Sequence, residues 1–124
     1  MALLYLLLEC RRPEFASAEF GINGLEMALG SLMGLVHSGQ IELSMLISKL
    51  TVKPARIIGR EELGSLKPGN EADITIFDPE AEWAVELENF LSKGKNSPLA
   101  GNIMRGKIVT TLFGGKIVYS ETPI

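Results

Sequence analysis

Apolar residues recur at helical spacing in the first half of the chain, whereas β-branched clusters and glycine turns fill the second half. Residues 25–36 predict a first, mostly buried helix, which ends at His37-Ser38-Gly39. A second, amphipathic helix is predicted over residues 42–50 by Leu43, Leu46, Ile47 and Leu50. Pro54 suits the first turn of a third, short helix, which Gly59 ends.

Two glycines interrupt the first predicted helix, Gly30 and Gly34. Each costs about 1 kcal/mol relative to alanine inside a helix. We therefore expect them to permit the close approach of another element.

Strand signals begin after residue 64. Residues 72–77 predict a strand closed by Asp78-Pro79, and residues 83–85 predict a short second strand. Residues 87–91 predict a helical turn, and residues 92–101 a polar loop. The strongest local signal is a β-hairpin, in which residues 107–113 and 116–119 flank Gly114-Gly115.

The order of helices followed by strands predicts an α+β fold. We expect a helical segment over residues 1–59 and a β-rich segment over residues 60–124. No internal repeat or low-complexity tract interrupts this division. A length of 124 residues fits one domain of ordinary size.

The composition limits the classes of binding partner and the cellular compartment that we expect for this chain. With 12 Lys+Arg against 15 Asp+Glu, the net charge of -3 disfavours nucleic acid as a partner. Cys10 is the single cysteine, so an internal disulfide is excluded and a cytoplasmic location is the default expectation. One cysteine and one histidine exclude a self-contained histidine-rich metal site.

The apolar start, residues 1–8, is far shorter than the roughly 20 residues that a membrane span needs. We expect it to form a buried strand or helix and not a membrane segment. A terminus this apolar has to be covered, so we expect the chain to self-associate as a dimer or larger assembly.

Candidate catalytic residues are sparse. The segment Lys93-Gly94-Lys95 lacks the spacing of a phosphate-binding loop and is interpreted as a solvated turn. The carboxylates are explained by loops and turns: Glu61, Glu62, Asp73 and Asp78. His37 suits a helix end, and Cys10 has no recognisable base partner, so the residues alone indicate no catalytic set.

Five segments, taken together, resemble the carboxyl-terminal third of dihydroorotase, in the amidohydrolase superfamily. Two are typical of the whole superfamily, Thr51-Val52-Lys53-Pro54-Ala55-Arg56-Ile57-Ile58-Gly59 and the turn and strand of residues 64–78. Phe20-Gly21-Ile22-Asn23-Gly24-Leu25-Glu26 opens the match, and residues 90–101 and 106–119 are more specific to dihydroorotase. The resemblance covers about residues 15–120.

The resemblance implies the last helices of a metal-dependent (β/α)8 barrel, followed by strands of a small β-sandwich assembled from both chain ends. It implies the interconversion of carbamoyl aspartate and dihydroorotate in pyrimidine biosynthesis, with zinc activating a water. Phe20 and Gly21 are similar to the family's substrate-contacting loop. No metal ligand or catalytic aspartate lies in the matching region, so we expect a carboxyl-terminal fragment that is inactive alone.

An alternative implied by the resemblance is a non-catalytic assembly module. Inactive relatives of dihydroorotase bind aspartate transcarbamoylase, and this chain is a candidate for the same role. The other partner expected from the resemblance is the missing barrel segment.

Overall fold

A computed structural model describes residues 21–122. Helices α1 (Ala28–His37), α2 (Leu43–Leu50) and α3 (Val52–Ile57) come first. They are followed by strand β1 (Ile74–Ala84), a short 3-10 helix (Leu87–Asn89), strand β2 (Ile103–Phe113) and strand β3 (Lys116–Ser120). The order of elements is that of an α+β fold, as predicted. The apolar start at residues 1–8 lies outside the described residues.

The three strands form one antiparallel sheet in the order β1-β2-β3. Helix α1 packs against β2, the central strand, and α2 packs against α1 and α3. The helices therefore cover the sheet at its central strand. The predicted boundary between residues 1–59 and 60–124 stays a prediction.

The predicted helices are present, with two corrections to α1. This helix begins at Ala28 and not at residue 25, because residues 25–27 form a turn that leads into it. The expectation of a mostly buried helix is wrong, since only Gly30 and Met33 of α1 are buried. Within the described residues, α1 has one sheet face and part of α2 to pack against, so its other faces stay accessible.

Gly30 and Gly34 behave differently. A Cβ at Gly30 would lie 3.1 Å from Sδ of Met104 and 3.2 Å from Cζ2 of Trp83, which confirms a close approach. A Cβ at Gly34 would meet nothing within 4 Å, so the same expectation for Gly34 is wrong. Only one of the two glycines faces the sheet.

The predicted end of a strand at Asp78-Pro79 is wrong, because β1 runs through this point to Ala84. Asp78 pairs with Lys107 and Glu82 with Arg105, so residues 79–81 bulge out opposite the single residue Gly106. The missing amide of proline is harmless in a bulge, where the ladder is already interrupted. The two strands predicted over residues 72–77 and 83–85 are therefore one strand.

The β2–β3 hairpin is confirmed. Gly114 and Gly115 have φ of 53° and 75°, as a tight hairpin turn of the primed type requires. Phe113 pairs with Lys116 across the turn. The Oδ1 atom of Asp73 accepts the Gly114 amide at 2.8 Å, which ties the turn to the residue that precedes β1.

The main apolar cluster lies between the start of α1 and the residues that link β1 to β2. Its buried members are Met27, Val85, Phe90 and Met104, with Trp83, Leu87 and Leu99 packed against them. Because Phe90 belongs to this cluster, the loop that follows it leaves the core from a fixed point.

Candidate functional site

Gly21 is the first residue that the structure describes, and its predicted partner Phe20 lies outside the described residues. Gly21 has φ of 76°, a backbone conformation that favours glycine. It lies on one wall of an open surface pocket of about 490 Å³. The lining residues are Gly21, Ile22, Asn23, Ser92, Lys93, Gly94 and Asn96.

The pocket forms where the segment 21–24 meets the loop 90–97. The amide of Asn23 donates to the carbonyl of Asn96 at 2.7 Å, and its side-chain nitrogen donates to the carbonyl of Gly94 at 2.9 Å. In return, Nδ2 of Asn96 donates to the carbonyl of Gly21 at 2.6 Å. These three bonds hold the two walls of the pocket together.

Glu26, in the turn before α1, anchors the other end of the loop 90–97. Its two carboxylate oxygens accept the amides of Leu91 at 2.9 Å and Ser92 at 3.1 Å. Desolvation opposes ionisation of this group, but the Leu91 and Ser92 hydrogen bonds and the charge of Lys95 outweigh it. Together they hold the pKa of Glu26 below its ordinary value. The carboxylate is therefore ionised at neutral pH.

The two lysines of the predicted solvated turn have different roles. Nζ of Lys95 donates to the carbonyl of Phe90 at 2.7 Å and so closes the loop on itself. Lys93 is exposed at the rim of the pocket. The segment from Lys93 to Lys95 lies in an irregular loop, and no helix follows it as in a phosphate-binding loop.

The other carboxylates singled out in the sequence lie away from the pocket lining. Asp78 accepts the amides of Glu80 and Ala81 through Oδ1 at 2.8 and 3.2 Å, which shapes the β1 bulge. Glu62 pairs with Arg60 on the surface. Asp73 is used by the hairpin turn, and Glu61 is exposed. These positions support the structural interpretation of the four side chains.

His37, the last residue of α1, contacts the β1 bulge. Its Nε2 lies 3.0 Å from the carbonyl of Pro79, and its Nδ1 lies 4.0 Å from Oε1 of Glu80. Within residues 21–122, no group of three or more His, Cys, Asp or Glu side chains is placed to hold a metal ion. Cys10 lies outside the described residues.

Three residues of the site had no role assigned from sequence, although each lies in a segment that resembles dihydroorotase: Asn23, Glu26 and Asn96. Their bonds join positions that are 65 to 75 residues apart in the chain. No local pattern signals such a contact. The joint occurrence of the two segments in one family was the available signal.

Comparison with known proteins gives a consistent result. A profile of the amidohydrolase family matches residues 9–118. Dihydroorotase of Aquifex aeolicus (strain VF5) is 50% identical over 101 residues, which are 82% of this chain and 24% of that protein. Dihydroorotase of Syntrophus aciditrophicus (strain SB) is 44% identical over 111 residues, which are 90% of this chain and 26% of that protein.

Solved structures agree with the sequence relatives. L-hydantoinase (dihydropyrimidinase) from Arthrobacter aurescens superimposes with a TM-score of 0.81 at 29% identity, over 94% of this chain and 27% of that one. A D-hydantoinase structure gives a TM-score of 0.79 at 28% identity, over 91% of this chain and 25% of that one. The chain thus spans about a quarter of the length of these relatives.

The predicted resemblance to dihydroorotase is confirmed by these identities. Among residues 21–122, no helix has the length and apolar character that crossing a membrane demands. Because the family profile matches most of the sequence and the fold matches solved members, this chain belongs to the amidohydrolase family.

Proposed function

We propose that this chain is the carboxyl-terminal part of a dihydroorotase-like cyclic amidohydrolase and contributes one wall of its substrate site. One observation carries the proposal. Residues 21–23 and the loop 90–97, which lie in two separate segments that resemble dihydroorotase in sequence, line a single pocket.

The substrates proposed are carbamoyl aspartate and dihydroorotate, and the compartment proposed is the cytoplasm. Both compounds carry carboxylate and amide groups, which suit a pocket whose lining residues include Asn23, Ser92, Lys93 and Asn96. Gly21 leaves the backbone accessible because it has no side chain. In this role the chain binds and orients the substrate.

Zinc, which the family uses, does not fit the described residues of this chain. His37 is the single histidine, and its Nε2 lies against the carbonyl of Pro79. Glu80 is the carboxylate beside it, and in residues 21–122 no group of three or more His, Cys, Asp or Glu side chains is placed to hold a metal ion. We therefore propose that the metal and the catalytic base belong to a barrel segment outside this chain, and that the chain alone is inactive.

The test is a titration of the purified, isotope-labelled chain with dihydroorotate, followed by the amide resonances of Gly21 and Asn23. Saturable shifts of these resonances, weakened by Asn96→Ala and retained in Asn102→Ala, are expected. Asn102 is a matched control because its exposed side chain makes no hydrogen bond to the described residues. The absence of saturable shifts contradicts the proposed substrate contact.

Inactivity is tested separately. The chain is assayed for dihydroorotate hydrolysis with and without added Zn²⁺, and no turnover is expected in either case. A zinc-dependent hydrolytic activity that copurifies with the chain contradicts the proposal that the barrel segment is required.

A second proposal, an assembly module, draws support from exposed apolar side chains on the β2–β3 hairpin. Phe113 is 68% exposed and Val118 61% exposed, and Ile117 and Tyr119 lie beside them on β3. Exposed apolar side chains of this kind suit a protein partner. The candidate partners are aspartate transcarbamoylase, the barrel segment and a second copy of the chain. Light scattering measures self-association, and a pull-down with purified aspartate transcarbamoylase measures the other interaction.

The matched variants for this second proposal are Val118→Thr in the cluster and Ile57→Thr at the end of α3, where the side chain is also exposed. We expect the first to weaken association and the second to leave it unchanged. Equal effects of the two variants, or a monomer that does not bind aspartate transcarbamoylase at micromolar concentration, contradict the assembly role.

A further inference from the structure

Glu26 does not line the pocket, yet it is hydrogen-bonded to the residues at which one pocket wall begins. The wall opposite Gly21 consists of Ser92, Lys93 and Gly94. Glu26 accepts the amides of Leu91 and Ser92, the two residues at which the chain enters this wall. Its carboxylate is thus hydrogen-bonded to Ser92, which lines the pocket, but Glu26 itself does not line it.

The remaining anchors of the loop 90–97 act elsewhere. Asn23 holds the middle of the loop through the carbonyls of Gly94 and Asn96, and Nδ2 of Asn96 donates to the carbonyl of Gly21. Oγ of Ser97 lies 3.5 Å from Sδ of Met27 near its end. Lys95 bonds only to the loop itself, at the carbonyl of Phe90. Among the described residues, Glu26 is therefore the side chain that fixes the entry to the wall from outside the loop.

The chemistry of the contact makes Glu26 hard to replace. A carboxylate presents two acceptor oxygens, one for each amide, and hydrogen bonds to an ionised acceptor are roughly twice as strong as neutral ones. A glutamine at this position keeps one acceptor and points an NH₂ group at the second amide. One loop amide then loses its partner and the entry to the wall is released.

We propose that Glu26 is a positioning residue for the Gly21 pocket: by holding the amides of Leu91 and Ser92 it sets the separation of the two pocket walls and so controls ligand affinity. The ligand chemistry in this inference rests on the proposed function. The coupling between Glu26 and the opposite wall does not depend on it.

The first experiment compares Glu26→Gln with Glu88→Gln in the full chain. Glu88 is an exposed carboxylate in the nearby 3-10 helix and makes no hydrogen bond to the described residues, so it controls for loss of charge. Without ligand, Glu26→Gln is expected to move the amide resonances of Gly21 and Asn23, to which the Glu26 side chain makes no hydrogen bond. Unchanged resonances at these two positions overturn the proposal.

The second experiment titrates both variants with dihydroorotate. Losing one charge-assisted bond is expected to weaken binding about tenfold in Glu26→Gln, and by less than about twofold in Glu88→Gln. Rescue by raised ligand concentration, in a variant whose cooperative unfolding begins above the temperature of the titration, separates positioning from general unfolding. Equal affinity of Glu26→Gln and the unaltered chain overturns the proposal.

A titration of the unaltered chain covers the case in which Glu26→Gln does not fold. Protonation replaces the charged acceptor of the Leu91 and Ser92 amides with a neutral carboxyl group, which weakens both hydrogen bonds. Gly21 and Asn23 are then expected to move with the same midpoint. Lys95 is the charged group that faces Glu26 from the loop, so Lys95→Gln is expected to raise this midpoint. Movement at Leu91 and Ser92 without movement at Gly21 and Asn23 overturns the proposal.

The two proposals fail in different ways. If the unaltered chain does not bind dihydroorotate but the Gly21 resonance moves in Glu26→Gln, the substrate assignment is wrong and the positioning role holds. If the chain binds dihydroorotate but the Gly21 resonance does not respond to Glu26→Gln, the substrate assignment holds and the positioning role is wrong.

Discussion

Gly106 and Met33 approach so closely that a Cβ at Gly106 would lie 2.6 Å from Cγ of Met33. Gly106 also has φ of 96° and faces the three-residue bulge of β1. Its carbonyl accepts a hydrogen bond from Nε1 of Trp83 at 3.0 Å. Helix α1 thus packs against the sheet at Gly106, where β2 has no side chain.

Gly106→Ala is expected to destabilise the fold by about 3 kcal/mol, because overpacking adds to the strain of a positive φ. Gly101→Ala is the matched control, since Gly101 has φ of 77° but open space around the Cβ position. We expect it to cost about 1 kcal/mol. Urea denaturation of both variants measures the difference, and equal losses would show that the Met33 contact yields without cost.

The two glycines of α1 give a second paired prediction. Gly30→Ala is expected to destabilise the fold by about 1–3 kcal/mol, because the new methyl meets Met104 and Trp83. Gly34→Ala is expected to stabilise it by about 0.5–1 kcal/mol, because alanine is the better helix former and nothing obstructs it. Thermal melting followed by circular dichroism measures both, and a Gly34→Ala variant less stable than the unaltered chain would contradict the open environment.

The difference between these glycines shows what the sequence could predict. Local signals sufficed for the hairpin, because Gly114-Gly115 and its flanking strands are adjacent in the chain. Asp78-Pro79 was misread as a strand end because the bulge depends on Gly106, which is distant in sequence. Gly30 and Gly34 look alike in the sequence, and only the position of the sheet, through Met104 and Trp83, distinguishes them.

The candidate site was predictable to a similar extent. Family resemblance indicated Gly21, and the structure places it in a pocket. The same resemblance covered Asn96 and Glu26, but their roles arise from contacts between chain segments that no periodicity or turn rule connects. Long-range hydrogen bonds of polar loops are specified by the packed core beneath them, here the cluster around Met27 and Phe90.

Asn96→Ala is expected to open the pocket with a modest loss of stability, about 1 kcal/mol, because one side-chain hydrogen bond to Gly21 is removed. The amide of Asn23 bonds to the backbone carbonyl of Asn96, so its hydrogen exchange is expected to accelerate more than global unfolding explains. Exchange measured by NMR tests this, with Asn102→Ala as the control. Unchanged protection of Asn23 would show that the backbone bond alone holds the two walls.

Acid is expected to destabilise the chain through Glu26. Its pKa in the folded state lies below the ordinary value of 4.5, because the Leu91 and Ser92 hydrogen bonds and Lys95 outweigh the effect of desolvation. The unfolded chain therefore takes up this proton at a higher pH than the folded chain does. The contribution is complete above the unfolded pKa and is lost as the pH falls from about 4.5 through the lowered folded value.

Urea midpoints measured from about pH 7 to about pH 3 are expected to fall more steeply for the unaltered chain than for Glu26→Gln. Glu62 also has a lowered pKa, caused by its hydrogen bond and ion pair with Arg60. That pair is exposed, so high salt weakens it more than the amide bonds of Glu26. In high salt, the difference between the two chains is expected to persist, whereas parallel pH profiles would show that ionised Glu26 adds no stability to the folded state.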